Sequence, residues 1–179
     1  MTVKPFFKDL TFKSFVTKSY LIDLQRQNKR VLILGFGNGL VQAYLLKSPI
    51  ELFAEFEGWQ SEFSEERCVT CIQSIDLSGG GGGNTVLTGN ALGESLAFDI
   101  DQVAFQPLKD RVKGPVIDYF EPPSSCKEVK DNLFYILTEK DLVVCSKSEE
   151  GEIKGSFKGA MPSKYRSKID LLAAEFLVA

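Results

Sequence analysis

An internal repeat constrains this chain more than any other feature of its sequence. Shifted by 54 positions, "VLILGFGNGLVQAYLL" (31–46) lies over "TVLTGNALGESLAFDI" (85–100), placing Gly35 on Gly89, Gly39 on Gly93, Ala43 on Ala97 and Tyr44 on Phe98. A looser third copy, "LFYILTEKDLVVCSKS" (133–148), has a tighter turn. Each copy reads as strand, turn, strand. The arms are rich in β-branched and aromatic residues, and the turn glycines can take the positive φ that a tight hairpin needs. Tyr44 and Phe98 are therefore expected at equivalent buried positions.

The flanks of the copies also correspond. "SYLIDLQRQNK", "CVTCIQSIDLS" and "GPVIDYFEPPSS" precede them, and "IELFAEFEG", "QVAFQPLKD" and "GEIKGSFKG" follow. Each unit thus reads as four short strands, the sequence pattern of a propeller blade with a period of roughly 40 to 50 residues. The expected organisation is a single β-rich domain over 1–179, with blade-like units at about 16–60, 66–110 and 114–160. Residues 161–179 would begin a further unit or act as a docking element. The glycine run in "SGGGGGN" (78–84) has too much backbone freedom to order by itself and reads as a loop. Pro122 and Pro123 interrupt ladder pairing in the connector 121–131.

Composition narrows the chemistry. With 179 residues, 44% hydrophobic and 25% charged, the chain can bury one substantial core. A net charge of -3 argues against a general nucleic-acid binder, which needs a basic surface. No apolar run approaches the roughly 20 residues that span a bilayer, so the expected setting is intracellular, with no membrane partner. There is no histidine. Its absence removes the serine and cysteine triads, the commonest general base and most zinc sites. Cys68 and Cys71 form a lone CxxC inside an apolar alternating run, and Cys126 and Cys145 do not form a second one, so the cysteines read as reduced thiols and no metal site is expected.

Two readings of "GFGNG" compete. In the first, "YLIDLQRQNKRVLILGFGNGLVQAYLLKSPIELFAEFE" resembles motif I of the S-adenosylmethionine-dependent methyltransferases, a Rossmann-like fold. That resemblance implies a glycine loop approached by cofactor and an acid, Glu55 or Glu57, on the ribose hydroxyls. The usual acid of the first strand is replaced by Ile33, and no alternating βαβ pattern follows. In the second reading the glycines turn a hairpin, Gly37 is spare, and no cofactor is bound.

The second reading accounts for more of the chain and leads to a family. "VLILGFGNGLVQAYLLKSPIELFAEFEGW" with "VTCIQSIDL", and "NTVLTGNALGESLAFDID" in the next unit, resemble divergent blades of the WD-repeat β-propellers. Tyr44 and Phe98 stand at the place of the signature Trp, Asp99 at that of the signature Asp, and Glu57, Gly58 and Trp59 near that of the usual Gly-His. The resemblance implies an all-β, propeller-like array of four-stranded antiparallel blades, partial or completed by a partner, since closed propellers have about four to eight blades. It implies a non-catalytic scaffold or assembly subunit for other proteins, open to self-association. Candidate interaction residues are the loop aromatics Phe36, Trp59 and Phe63, read as exposed, and Tyr165, Arg166, Leu172 and Phe176 near the C-terminus.

Overall fold

The computed structural model describes residues 12, 14–24, 28–59, 61–75, 85–100, 102–108, 111–121, 133–138, 142–147 and 153–155. Strands β1 (Val16–Leu24), β2 (Lys29–Phe36), β3 (Val41–Leu45) and β4 (Glu51–Phe56) pair in chain order as a first sheet. A single turn of helix, α1 (Ser64–Arg67), leads into the second sheet, made of β5 (Val69–Ile75), β6 (Thr85–Asn90), β7 (Ser95–Asp99) and β8 (Ala104–Pro107). The third sheet contains β9 (Val116–Phe120), β10 (Leu133–Thr138), β11 (Leu142–Lys147) and β12 (Ile153–Gly155). All pairings are antiparallel. The fold is all-β, with a propeller-like arrangement of sheets.

The sheets stack face to face because each exposes apolar side chains on both sides. Val31, Ile33, Val41 and Ala43 of the first sheet meet Val69, Ile72, Val86, Leu96 and Phe98 of the second in one core. Cys71, Ile75, Leu87 and Ala97, from the other side of the second sheet, meet Val116, Tyr119, Phe134 and Ile136 of the third. Strand β6 lies between both cores and is buried along its whole length. Full burial of a Val, Leu, Ile or Phe side chain contributes about 1.5–3 kcal/mol, so the stack supplies the main driving force. The sheets meet along their first strands, β1 against β5 and β5 against β9, and at the far edge β4 meets β8.

Equivalent hairpins in the first two sheets repeat bond for bond. Phe36 N–H donates to Leu40 O (3.0 Å) and Gly39 N–H to Phe36 O (3.0 Å). At the positions 54 residues later, Asn90 N–H donates to Glu94 O (3.1 Å) and Gly93 N–H to Asn90 O (3.2 Å). Gly39 and Gly93 have φ of +89° and +93°, the left-handed conformation that closes a three-residue hairpin loop. "GFGNG" is therefore a hairpin turn, and Val41–Leu45 is a strand where the cofactor-loop reading needs a helix. Tyr44 and Phe98 are both buried, at 4% and 0% exposure.

Gly35 departs from the expected turn role. It lies within β2, and a Cβ there would be 2.3 Å from Val69 Cγ1 of the second sheet. Gly89 is its counterpart in β6, where a Cβ would be 2.5 Å from Val116 Cβ of the third sheet. These two glycines set how closely successive sheets approach. Gly37 carries no such constraint, because a Cβ there would meet only the ring of Phe15, which is 71% exposed and free to turn aside.

Candidate functional site

Between the first and second sheets the chain needs a connector, and this one is long enough to build a surface of its own. It leaves β4, passes Trp59 and Phe63, and reaches β5 through α1. Trp59 anchors it. Its Nε1–H donates to Gly39 O (2.5 Å), and Phe56 packs edge-on against its ring at 5.2 Å and 85°. Gly39 admits this approach, because a Cβ there would lie 2.8 Å from Trp59 Cδ1 and 2.5 Å from Arg67 Cβ.

Hydrogen bonds within the connector then fix Phe63. Ser61 Oγ donates to Glu66 Oε2 (2.5 Å) and accepts from Phe63 N–H (3.2 Å), while Arg67 Nη2 donates to Glu62 O (3.4 Å). Phe63 is left 66% exposed. At the edge of a groove, a ring so placed offers apolar area for a partner to bury.

The connector forms one wall of a groove of about 940 Å³. Phe56, Trp59 and Phe63 supply its aromatic wall, with Leu92, Pro107 and Leu108 of the second sheet and its loops opposite. Three carboxylates, Glu62, Glu66 and Glu94, and one guanidinium, Arg111, also line it. Glu94 is held from behind, its Oε2 accepting from Asn90 Nδ2 (2.7 Å), while Asn90 Oδ1 accepts from Glu94 N–H (2.8 Å) and Leu92 N–H (3.1 Å). Aromatic and acidic walls together suit a side chain with an apolar stem and a cationic or hydrogen-bond-donating end.

A second group of titratable residues lies on the first strands. Cys71 donates its thiol hydrogen to Asp118 Oδ1 (3.9 Å), and Tyr119 N–H donates to the same oxygen (2.8 Å). Burial, reinforced by the Asp118 charge, pushes the Cys71 thiol up to about 12. Such a thiol stays protonated at neutral pH and is a poor nucleophile. Burial also raises the Asp118 carboxyl, against the pull of its two hydrogen bonds and Lys18. Tyr119, whose hydroxyl donates to Ser95 Oγ (2.8 Å), is raised well above the usual phenol range by burial. Among the described residues no group of three or more acidic or thiol side chains is placed to hold a metal ion.

No family model matches this chain, and no curated protein matches it. Similar solved structures include the computationally designed Ika8 protein (TM-score 0.45, 19% identity, 82% of this chain and 34% of that one) and the designed Ika4 protein (TM-score 0.45, 15% identity, 83% and 94%). The N-terminal domain of Nup159 is similar at a TM-score of 0.43 with 15% identity, over 88% of this chain and 35% of that one. This chain spans about a third of the length of the Ika8 and Nup159 chains.

Of the loop aromatics expected to be exposed, only Phe63 is. Phe36 is fully buried, packed beneath Phe12 at 5.3 Å in a cluster with Leu34, Leu40 and Tyr44. Trp59 is 9% exposed because its indole closes the Gly39 turn while one edge lines the groove. Tyr165, Arg166, Leu172 and Phe176 lie outside the described residues. Glu94 and Arg111 were not singled out from sequence. Glu94 has a signal, since it follows the glycine at which the hairpin repeat closes, but Arg111 sits in a connector with no repeat pattern.

Proposed function

We propose that the chain is a non-catalytic scaffold subunit of the WD-repeat-like kind, binding other proteins inside the cell through the groove at the junction of its first two sheets. The single observation that carries this reading is Phe63, an aromatic 66% exposed at the lip of a groove of about 940 Å³. A connector that is pinned by its own side-chain hydrogen bonds, one of them to the Phe63 backbone N–H, and still presents that ring to solvent is accounted for when a partner covers it. No helix among the described residues is long and apolar enough to cross a membrane, a statement that leaves β-barrels aside.

Affinity purification from cells with the wild-type chain and with Phe63→Asp tests the proposal. The expected result is that a defined set of proteins is recovered with the wild type and lost with the variant, while both chains show the same far-UV circular dichroism. Identical recoveries would count against the groove. Calorimetric titration with S-adenosylmethionine is expected to show no saturable heat, and micromolar binding would revive the enzyme reading.

A further inference from the structure

The first strands of the three sheets carry a valine at one equivalent register position, next to a one-residue bulge. Val16 pairs with Phe36, Val69 with Asn90 and Val116 with Thr138, and in each strand the register shifts immediately afterwards. Val69 and Val116 are 1% and 0% exposed because each enters the notch left by a glycine of the preceding sheet, Gly35 or Gly89. Val16 is 42% exposed. No described sheet stands in front of it.

The same face carries other uncovered apolar residues. Leu21 pairs with Leu32 and Leu52 with Tyr44, and both partners belong to the cluster on the outer side of the first sheet. Leu21 is 55% exposed and Leu52 48%. Phe12 covers the remainder. Its ring meets Tyr44 at 6.4 Å and 78°, as Phe53 of the first sheet meets Phe98 of the second at 6.4 Å and 82°. Phe12 thus occupies the place that an aromatic of a preceding sheet takes at the next interface along.

The other end of the stack is built differently. The glycine position is filled by Leu137, which pairs with Asp118 as Gly35 pairs with Lys18 and Gly89 with Cys71. The bulge residue is Ile117, where Thr17 Oγ1 donates to Gly35 O (3.1 Å) and Thr70 Oγ1 donates across the sheets to Val116 O (2.7 Å). Leu137 leaves no notch for the Val16 of a second copy. The two ends of the stack therefore differ: the first sheet presents a valine that fits a notch, and the third, where Ile117 is 47% exposed, presents no notch.

We propose that the outer face of the first sheet, through Val16, Leu21 and Leu52 on its two edge strands, docks a further antiparallel β-sheet supplied by another protein, one that presents a glycine notch to Val16. The argument is continuity: the same face of the second and third sheets already makes this contact. It stands independently of the groove.

The chain itself serves as the probe. Ile117→Thr with Leu137→Gly opens a notch on the third sheet, so sedimentation equilibrium should show head-to-tail association at least tenfold tighter than for the wild type, and adding Val16→Asp should abolish it. A notched variant with unchanged circular dichroism and the wild-type mass would overturn the proposal. So would wild-type association that Val16→Asp abolishes, since the occupant would then be a second copy. If the double variant does not fold, the hydrophobic dye ANS decides on the otherwise wild-type chain. Phe12→Ala should raise its fluorescence and Leu21→Glu should lower it, and no change in either would show the face to be covered already. Phe63→Ala should alter none of these readings, so this proposal and the groove fail separately.

Discussion

The two connectors between sheets solve the same problem in different ways. Each must cover a hairpin turn whose glycine is left-handed. From the first to the second sheet, side chains do so, with Trp59 bonded to Gly39 O and Arg67 packed over the turn. From the second to the third, the backbone does so directly: Leu108 N–H donates to Ser95 O (2.9 Å) and Val112 N–H to Gly93 O (2.9 Å). The backbone solution is shorter. The side-chain solution leaves room for α1, Phe63 and the groove. The candidate site is thus a product of the connector rather than of the sheets, in keeping with binding residues sitting on loops over a rigid scaffold.

The largest expected effect compares the two turns directly. Gly93→Ala forces an L-residue to φ of +93° and places its Cβ 2.2 Å from Val112 O, a backbone atom. Left-handed strain and overpacking each cost about 1–3 kcal/mol, so a loss of about 4 kcal/mol is expected by urea denaturation. Gly39→Ala should cost less, about 3 kcal/mol, because its approaches, 2.5 Å to Arg67 Cβ and 2.8 Å to Arg67 O, are less severe than the three backbone atoms that Gly93→Ala meets from 2.2 Å. Equal losses would show that the first connector is as rigid as the second.

Next come the paired aromatics. Phe98→Ala opens a cavity between two sheets, beside Phe53 and Phe105, and should cost about 4 kcal/mol against about 3 kcal/mol for Tyr44→Ala, which lies with Phe12 in the smaller cluster on an outer face. The reverse order would mean that the outer face of the first sheet is covered as deeply as the inner one. Trp59→Phe keeps the ring and loses the bond to Gly39 O, so about 1 kcal/mol is expected, with no equivalent for a conservative change at Val112.

The smallest effect concerns pH. Asp118 has a raised carboxyl in the folded chain, so folding binds that proton more tightly, and ionising it costs stability once the pH exceeds its folded value. That cost disappears as the pH falls through this value towards the ordinary carboxylate range. Asp118→Asn keeps an oxygen for Tyr119 N–H, and should gain about 0.5 kcal/mol at pH 7 and nothing at pH 3, a small figure because the group is partly solvated. A gain that persists at pH 3 would assign the effect to packing.

Much of the fold was legible in the sequence because hairpins are local. Gly39 and Gly93 mark the turns, and alternation on either side marks the strands that pair across them. The site was less legible. Phe63 is exposed as the sequence suggests, yet Phe36, read from sequence as a loop aromatic too, ends β2 and is fully buried. Nothing local separates the two residues. The difference is that Phe12 arrives over Phe36, whereas nothing described covers Phe63.

By itself, the sequence determined the strand, turn, strand repeat and the all-β class, since period and turn chemistry act between residues close in the chain. Only the tertiary structure decided what the strand glycines do. Gly35 reads as a turn residue in isolation, and becomes a notch once Val69 of another sheet is placed against it. It also decided that Leu137 and Ile117 mark an end of the stack, because their meaning depends on which sheet lies in front of them. Contacts between sheets join residues far apart in the chain, 34 positions for Val69 over Gly35 and 46 for Thr70 to Val116, and no local preference in the chain encodes which of them will meet.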